Sequence, residues 1–225
     1  LCHTFIKPQI EWKIRMRKGQ NPAKFVNTVA KPAPTTVVIL NYIPYLSGFY
    51  AEALDVLKAC LESVRKETQQ SFDLMVFDNG SCEEVQDFLL KEFRQQNLQF
   101  LLLSAKNLGK GGAWNILFDA APGEYVVYAD SDVLFHTDWL NESMKIMQTF
   151  PNAGMVTARP FFTKKEYSTH TLQWALSQAD VTIEHGKLIP WDVFSAFNLS
   201  LGQDMAAIEN EYNSNDIERI TRNGV

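Results

Sequence analysis

The chain has 225 residues, 46% of them apolar, and a formal net charge of −5. That is enough apolar content for a real core, and a length that suits one large domain or one domain with an appendage. The longest apolar stretches fall well short of a membrane-spanning helix, no signal-peptide pattern opens the chain, and an acidic body without a reader motif argues against a nucleic-acid partner. Cys2, Cys60 and Cys82 are an odd number without metal-site spacing, which points to a reducing compartment and a cytoplasmic setting. Residues 1–36 hold seven basic residues (Lys7, Lys13, Arg15, Arg17, Lys18, Lys24, Lys31) and one acid, Glu11, leaving the remainder at about −11. Such an arm is read either as a solvated face packed on the body or as a peripheral contact with an anionic membrane surface or a contact with a phosphorylated acceptor.

In chain order, the alternation of Trp12, Ile14 and Met16 with Arg15 and Arg17 suits a short strand slightly better than an amphipathic helix. Gly19-Gln20-Asn21-Pro22 breaks it, and Lys31-Pro32-Ala33-Pro34 is a linker. Thr36-Val37-Val38-Ile39-Leu40 is a β-branched strand ending at Asn41-Tyr42. Leu54, Leu57, Leu61 and Val64 predict a helix over 50–67. Phe72 to Phe77 is the second strand, followed by the turn Asp78-Asn79-Gly80-Ser81. Ser81, with Glu84 three residues on, is placed to cap the next helix, which runs to about Gln96. Leu98 to Leu103 is the third strand. Asn107-Leu108-Gly109-Lys110-Gly111-Gly112 opens a helix that Pro122-Gly123 stops. Asp138 is read as the cap of a helix over 138–149, and Pro151 to Ala158 as another strand. Leu172 to Gln178 is read as a helix, Val181 to Ile189 as a small hairpin, Trp191 to Leu199 as strand-like, and 203–223 as helix–loop–helix.

Between these lies Tyr125-Val126-Val127-Tyr128-Ala129-Asp130-Ser131-Asp132. Its unbroken apolar run predicts an interior strand of a mainly parallel sheet. Strand–helix–strand alternation requires right-handed crossovers, so the fold class is α/β with a Rossmann-like parallel sheet flanked by helices. The strands ending at Asn41-Tyr42, Asp78-Asn79 and Asp130/Asp132 then deliver polar residues to one sheet edge, where ligands of such sheets bind. Asp130 and Asp132 suit a hard divalent cation, Mg²⁺ or Mn²⁺, carrying a nucleotide's phosphates. The other reading is a loop Asp pair that caps the next helix.

Asn41-Tyr42 after Val37-Val38-Ile39-Leu40, then Phe77-Asp78-Asn79-Gly80-Ser81, then Asn107-Leu108-Gly109 with Gly111-Gly112, then Gly123-Glu124-Tyr125 leading to Asp130-Ser131-Asp132, together resemble the family 2 glycosyltransferases of GT-A fold, in order and in spacing. The resemblance covers about residues 35–160. It implies an inverting transferase that takes a nucleoside-diphosphate sugar and a divalent cation and glycosylates a hydroxyl of a glycan or lipid-linked acceptor. It implies nucleotide contacts from Asn41, Tyr42, Asp78, Asn79, Asn107, Gly109, Gly112, Asp130 and Ser131, with Asp132 and Asp130 on the metal. Tyr42 would line the base pocket, and Asp78 and Asn79 would bond base and ribose. Asn79 stands where the family often has an acid, which speaks against uridine specificity and leaves thymidine and guanosine donors open.

The same resemblance puts the general base on a later helix start. Asn215-Asp216-Ile217-Glu218 with Arg222-Asn223-Gly224 makes Asp216 the first candidate, with Asp204 and Glu211 as alternatives; a surface acidic helix is the other reading. His136 could reach the metal or be structural, and His170 and His185 sit where the pattern is weakest. Trp174 and Trp191 suit either an acceptor platform or core packing. Three regions result: a basic arm over 1–34, a nucleotide-sugar core over 35–160, and an acceptor-side region over 161–225 that reads as truncated or minimal. The rivals are a catalytically silent nucleotide- or glycan-binding domain, and a sugar nucleotidylyltransferase, whose glycine- and basic-rich first loop is missing after Leu40. A dinucleotide-dependent dehydrogenase lacks its glycine fingerprint.

Overall fold

The computed structural model describes residues 19–162 and 165–225. The strand expected around Trp12 to Arg17 lies outside the described residues. Four parallel strands, β1 (Thr35–Asn41), β2 (Phe72–Asp78), β3 (Phe100–Leu103) and β4 (Tyr125–Asp130), form one sheet in the order β3-β2-β1-β4. Between them run α1 (Ala53–Glu67), α2 (Glu83–Arg94) and α3 (Gly109–Ala120). This is the α/β class that the alternation predicts.

All seven residues of β1 are buried, as a β-branched run between two covered faces requires. One face carries Val37, Ile39, Leu74 and Val76 against Leu57, Cys60, Leu61 and Val64 of α1 and Val85 and Leu89 of α2. The other carries Val38, Leu40, Met75 and Phe77 against Ala113 and Leu117 of α3. The 57, 60, 61, 64 spacing is one helical stripe, which is why α1 forms and which face it buries. At the opposite, N-terminal edge, a Cβ on Gly123 would lie 2.7 Å from the Thr36 amide nitrogen, so the chain enters β4 through a contact only glycine allows.

Several expectations change. Among the described residues the 125–129 run is not an interior strand: β4 is the sheet's edge, and Val126 is 38% exposed. An unbroken apolar run says nothing of position in the strand order, and here only Ala129 of it is buried. Ser81 does not cap α2, whose N-cap is Cys82 without a side-chain bond. Instead, the Ser81 hydroxyl accepts from the Ile43 amide at 2.9 Å. Asp138 precedes α4 (Trp139–Thr149) in a left-handed conformation and makes no capping bond.

Residues 151–158 form no strand; Asn152 takes φ +62° and Met155 is 81% exposed, so neither backbone nor burial favours one. After α5 (Lys165–Leu176), β5 (Val181–Gly186) does not fold back on 187–189. It pairs antiparallel with β6 (Ile217–Arg222), so the second half of the expected helix–loop–helix is a strand. The strand-like 191–199 is a helix, α6 (Trp191–Ser200), followed by α7 (Met205–Ser214). Phe194 and Asn198, one helical turn apart, are its buried positions. Phe194 packs against Tyr212 of α7 and Phe162, with ring centroids 5.4 Å and 5.0 Å away.

Candidate functional site

In the order β3-β2-β1-β4 the chain winds outward from β1 in one direction and then returns to its other side, so the strand order reverses between β1 and β4. At the carboxyl ends of those two strands such a reversal leaves a crevice. The structure has a cleft of about 310 Å³ there, lined by Leu40, Tyr42, Asn79, Asn107, Gly109, Lys110, Asp130, Ser131 and Asp132. A slightly larger hollow, about 350 Å³, lies at the opposite strand ends beside α4. Its wall carries Lys145 but no carboxylate, so the chemistry concentrates in the first.

Behind one side of the cleft lies a buried hydrogen-bond lattice, of which Asn79 alone reaches the wall. Asn41 and Asp78 stand opposite each other in the β1–β2 register, both fully buried. Asn41 Nδ2 donates to Asp78 Oδ1 at 2.9 Å and to Ser81 Oγ at 3.0 Å, and the Ser81 amide donates to Asp78 Oδ2 at 3.0 Å. Asn41 and Asp78 are not on the cleft wall. The motif brings them to the right strand ends, but their side chains face the α1/α2 side and tie the first two turns together.

Asn79 does line the cleft, although only 3% exposed. Its Oδ1 accepts from the Leu108 amide at 2.9 Å, and its Nδ2 donates to Asn107 Oδ1 at 3.0 Å. An amide both donates and accepts; a carboxylate would only accept. That supplies a physical reason for Asn at this position: it sews the second turn to the glycine loop. Gly80 completes the seam, with φ +89° and a would-be Cβ 2.9 Å from the Lys106 carbonyl carbon. Gly109 takes φ +71° with open space around it, while Gly112 is not on the wall; a Cβ there would meet Leu108 at 3.3 Å.

The other side is charged and more exposed. The Tyr128 hydroxyl donates to Asp130 Oδ1 at 2.7 Å, and Lys110 Nζ donates to Asp130 Oδ2 at 2.7 Å. Burial first, then the bond to Asp130, push the Tyr128 phenol far above its ordinary range, so it stays a donor. Burial likewise pushes the Cys60 thiol up to about 11, a backbone bond from Val133 opposing and the Asp132 charge adding to it. Cys60 packs beneath the end of β4, with Sγ 3.9 Å from the Asp130 carbonyl oxygen. The Asp132 carboxylate has no hydrogen bond or ion pair among the described residues. Lys110 and Tyr128 were not singled out from sequence; a basic residue inside a glycine loop that opens a helix is the signal that could have found the former.

The three candidate bases do not join this cleft. Asp204 caps α7, accepting from the Ala207 amide at 3.0 Å. Glu211 lies on α7 and its carbonyl accepts from Asn215 Nδ2 at 2.8 Å. Asp216 is not at a helix start but immediately before β6, 3.0 Å from Lys187 Nζ and 3.4 Å from His185 Nε2. The Lys187 hydrogen bond is the main cause holding its carboxyl below the ordinary range.

Among the described residues no group of three or more His, Cys, Asp or Glu side chains could enclose a metal ion. Asp130 and Asp132 do fit an open site. They are hard oxygen donors, and Mg²⁺-like ions in phosphate sites are held by one or two carboxylates, with waters and phosphate oxygens completing the shell. Asp130's two engaged oxygens each keep a second lone pair.

Residues 48–202, more than half of the chain, match the family model described as glycosyl transferase family 2. The chain belongs to this family. Among its relatives are an uncharacterized glycosyltransferase of Nostoc sp., 27% identical over 52% of this chain and 33% of that protein, and the glycosyltransferase GlyA of Streptococcus pneumoniae, 28% identical over 38% of this chain and 12% of that protein. The matches span 12% to 39% of the length of the curated relatives. Among solved structures, the mannosyltransferase PcManGT from Pyrobaculum calidifontis, in complex with GDP-Man and Mn²⁺, is 22% identical with a TM-score of 0.46, covering 58% of this chain and 37% of that one. No helix among the described residues of this family 2 member is long and apolar enough to cross a membrane.

Proposed function

We propose that this family 2 chain binds a nucleoside-diphosphate sugar in the β1/β4 cleft and transfers the sugar to a hydroxyl of a glycan or lipid-linked acceptor. The observation that carries the reading is Asp130 and Asp132 at the end of β4, facing the same 310 Å³ cleft as the glycine loop that opens α3. Tyr42, 37% exposed on the cleft wall, offers a ring for the base. Asn107 and Gly109 put backbone where a nucleotide can approach closely. Asp130 and Asp132 would hold Mn²⁺ or Mg²⁺, which when bound neutralises charge on the departing nucleoside diphosphate. Tyr128 fixes the Asp130 carboxylate by donating to one of its oxygens.

Asp216 is here assigned to the β5–β6 junction rather than to proton abstraction, because its carboxylate lies against Lys187 and His185 and does not line the cleft. A second reading, nucleotide binding without turnover, is favoured by one observation: none of Asp204, Glu211 and Asp216 lines the cleft.

Calorimetric titration with uridine, thymidine and guanosine diphosphates, with and without Mn²⁺, tests the donor site. One of them should bind, and only with metal, and Asp132→Ala should abolish that binding without lowering the melting temperature. Donor affinity unchanged in Asp132→Ala would refute the assignment. Release of free sugar or glycosylated product from the matching donor then separates the transferase from the silent domain.

A further inference from the structure

Lys110 is the cation of the cleft, and its partner is one of the two carboxylates assigned to a divalent ion. Its Nζ lies 2.7 Å from Asp130 Oδ2, with the two side chains 57% and 44% exposed. The ammonium also lies 5.5 Å from the Trp114 ring centroid, so it is steadied from a second direction. Lys110 sits in the first turn of α3 and lines the same wall as Asp132 and Ser131. A divalent ion taken by Asp130 and Asp132 would meet this ammonium at close range, and like charges at such distances repel. The Asp130 pair itself is exposed, and exposed ion pairs contribute little, so it can be exchanged. The anion next in reach of a displaced ammonium is the diphosphate that the same metal would carry.

Resting on the donor-site reading above, we propose that Lys110 is a positioning residue that couples metal entry to nucleotide binding. It competes with the divalent ion for Asp130 and transfers to the donor's diphosphate when both ligands enter. Metal alone is thereby disfavoured, and metal with nucleotide is favoured. The coupling is reciprocal, as linkage demands.

The test is direct binding of Mn²⁺, followed by the electron paramagnetic resonance signal of the free ion, with and without the three diphosphates in parallel. Lys110→Met removes the competitor, so Mn²⁺ alone should bind about threefold or more tightly than to wild type, while the diphosphate in the presence of Mn²⁺ binds about tenfold more weakly. Lys110→Arg keeps the charge and should restore most of the diphosphate affinity. Lys110→Gln, which keeps a polar side chain, should follow Lys110→Met and guards against a packing effect of the latter. If wild type binds Mn²⁺ and a diphosphate but the Met and Gln variants bind Mn²⁺ alone no better than wild type, the coupling is refuted and the donor site stands. If wild type binds neither, both readings fall.

Discussion

Replacing Asn79 by Asp probes how the glycine loop is held against the sheet. The side chain is 3% exposed; its Oδ1 accepts from the Leu108 amide at 2.9 Å and its Nδ2 donates to Asn107 Oδ1 at 3.0 Å. Aspartate keeps the acceptor and loses the donor, and when ionised it sets one carboxylate oxygen against another acceptor. Loss of that donation at a buried position costs about 1–3 kcal/mol. Burial disfavours the charged form, so the introduced carboxyl has a folded-state pKa raised above its unfolded value of about 3.9. Protonated, it can donate to Asn107 and restore the bond. A raised folded pKa means that the variant comes nearest to wild type below about pH 4 and falls behind as pH rises through the folded value. At pH 8 the expected deficit is about 2 kcal/mol, or about 4–8 °C in melting temperature for a chain of this size. Urea denaturation of both proteins at pH 8 and pH 5 measures it. Equal stability at pH 8, or a deficit of the same size at both, would refute the seam.

Gly80→Ala should cost about 1–3 kcal/mol, since it forces an L side chain to φ +89° and drives a Cβ to 2.9 Å from the Lys106 backbone; an unchanged melting curve would contradict the close approach. Lys187→Met should return the Asp216 carboxyl toward its ordinary pKa, upward, in a carboxyl-carbon NMR titration; no movement would mean that another group holds it. Asp216→Asn should leave donor affinity intact and lower turnover less than about tenfold, whereas a fall of about a hundredfold would reinstate Asp216 as the general base.

The first four strands and three helices are legible in sequence because their signals are local. Thr36 to Leu40 is a β-branched run, the 57, 61, 64 stripe marks α1, and the glycines at 80, 109, 111 and 112 punctuate the turns. Strand order is not local, and so Tyr125 to Ala129 reads as interior when β4 is an edge. The β5–β6 pairing joins Val181 to Arg222 across two helices, which no periodicity reports. In α6 the aromatics favour a strand, but Pro190 just before it, Asp192 in its first turn, and Phe194 four residues from Asn198 were helical signals that composition outweighed. At the site, the motifs locate strand ends but not side-chain direction. Asn41 and Asp78 therefore turn out to be buried, Asn79 to be a loop fastener, and Lys110 to be a partner of Asp130.

The two sides of the cleft are built to different stiffness. The Asn41, Asp78, Ser81 and Asn79 lattice behind one wall is buried and cross-bonded, with Asn41 Oδ1 its one side-chain atom lacking a partner among the described residues, so the wall that Asn79 presents is already held when a ligand arrives. Opposite it, Lys110 keeps most of its side chain in solvent and Asp132 has no partner among the described residues. The conformational entropy surrendered on complex formation is therefore concentrated in two side chains, each costing on the order of 0.5–1.5 kcal/mol to order. On the donor-site reading proposed above, affinity would accordingly be tunable at the acidic rim with the buried wall left as it is.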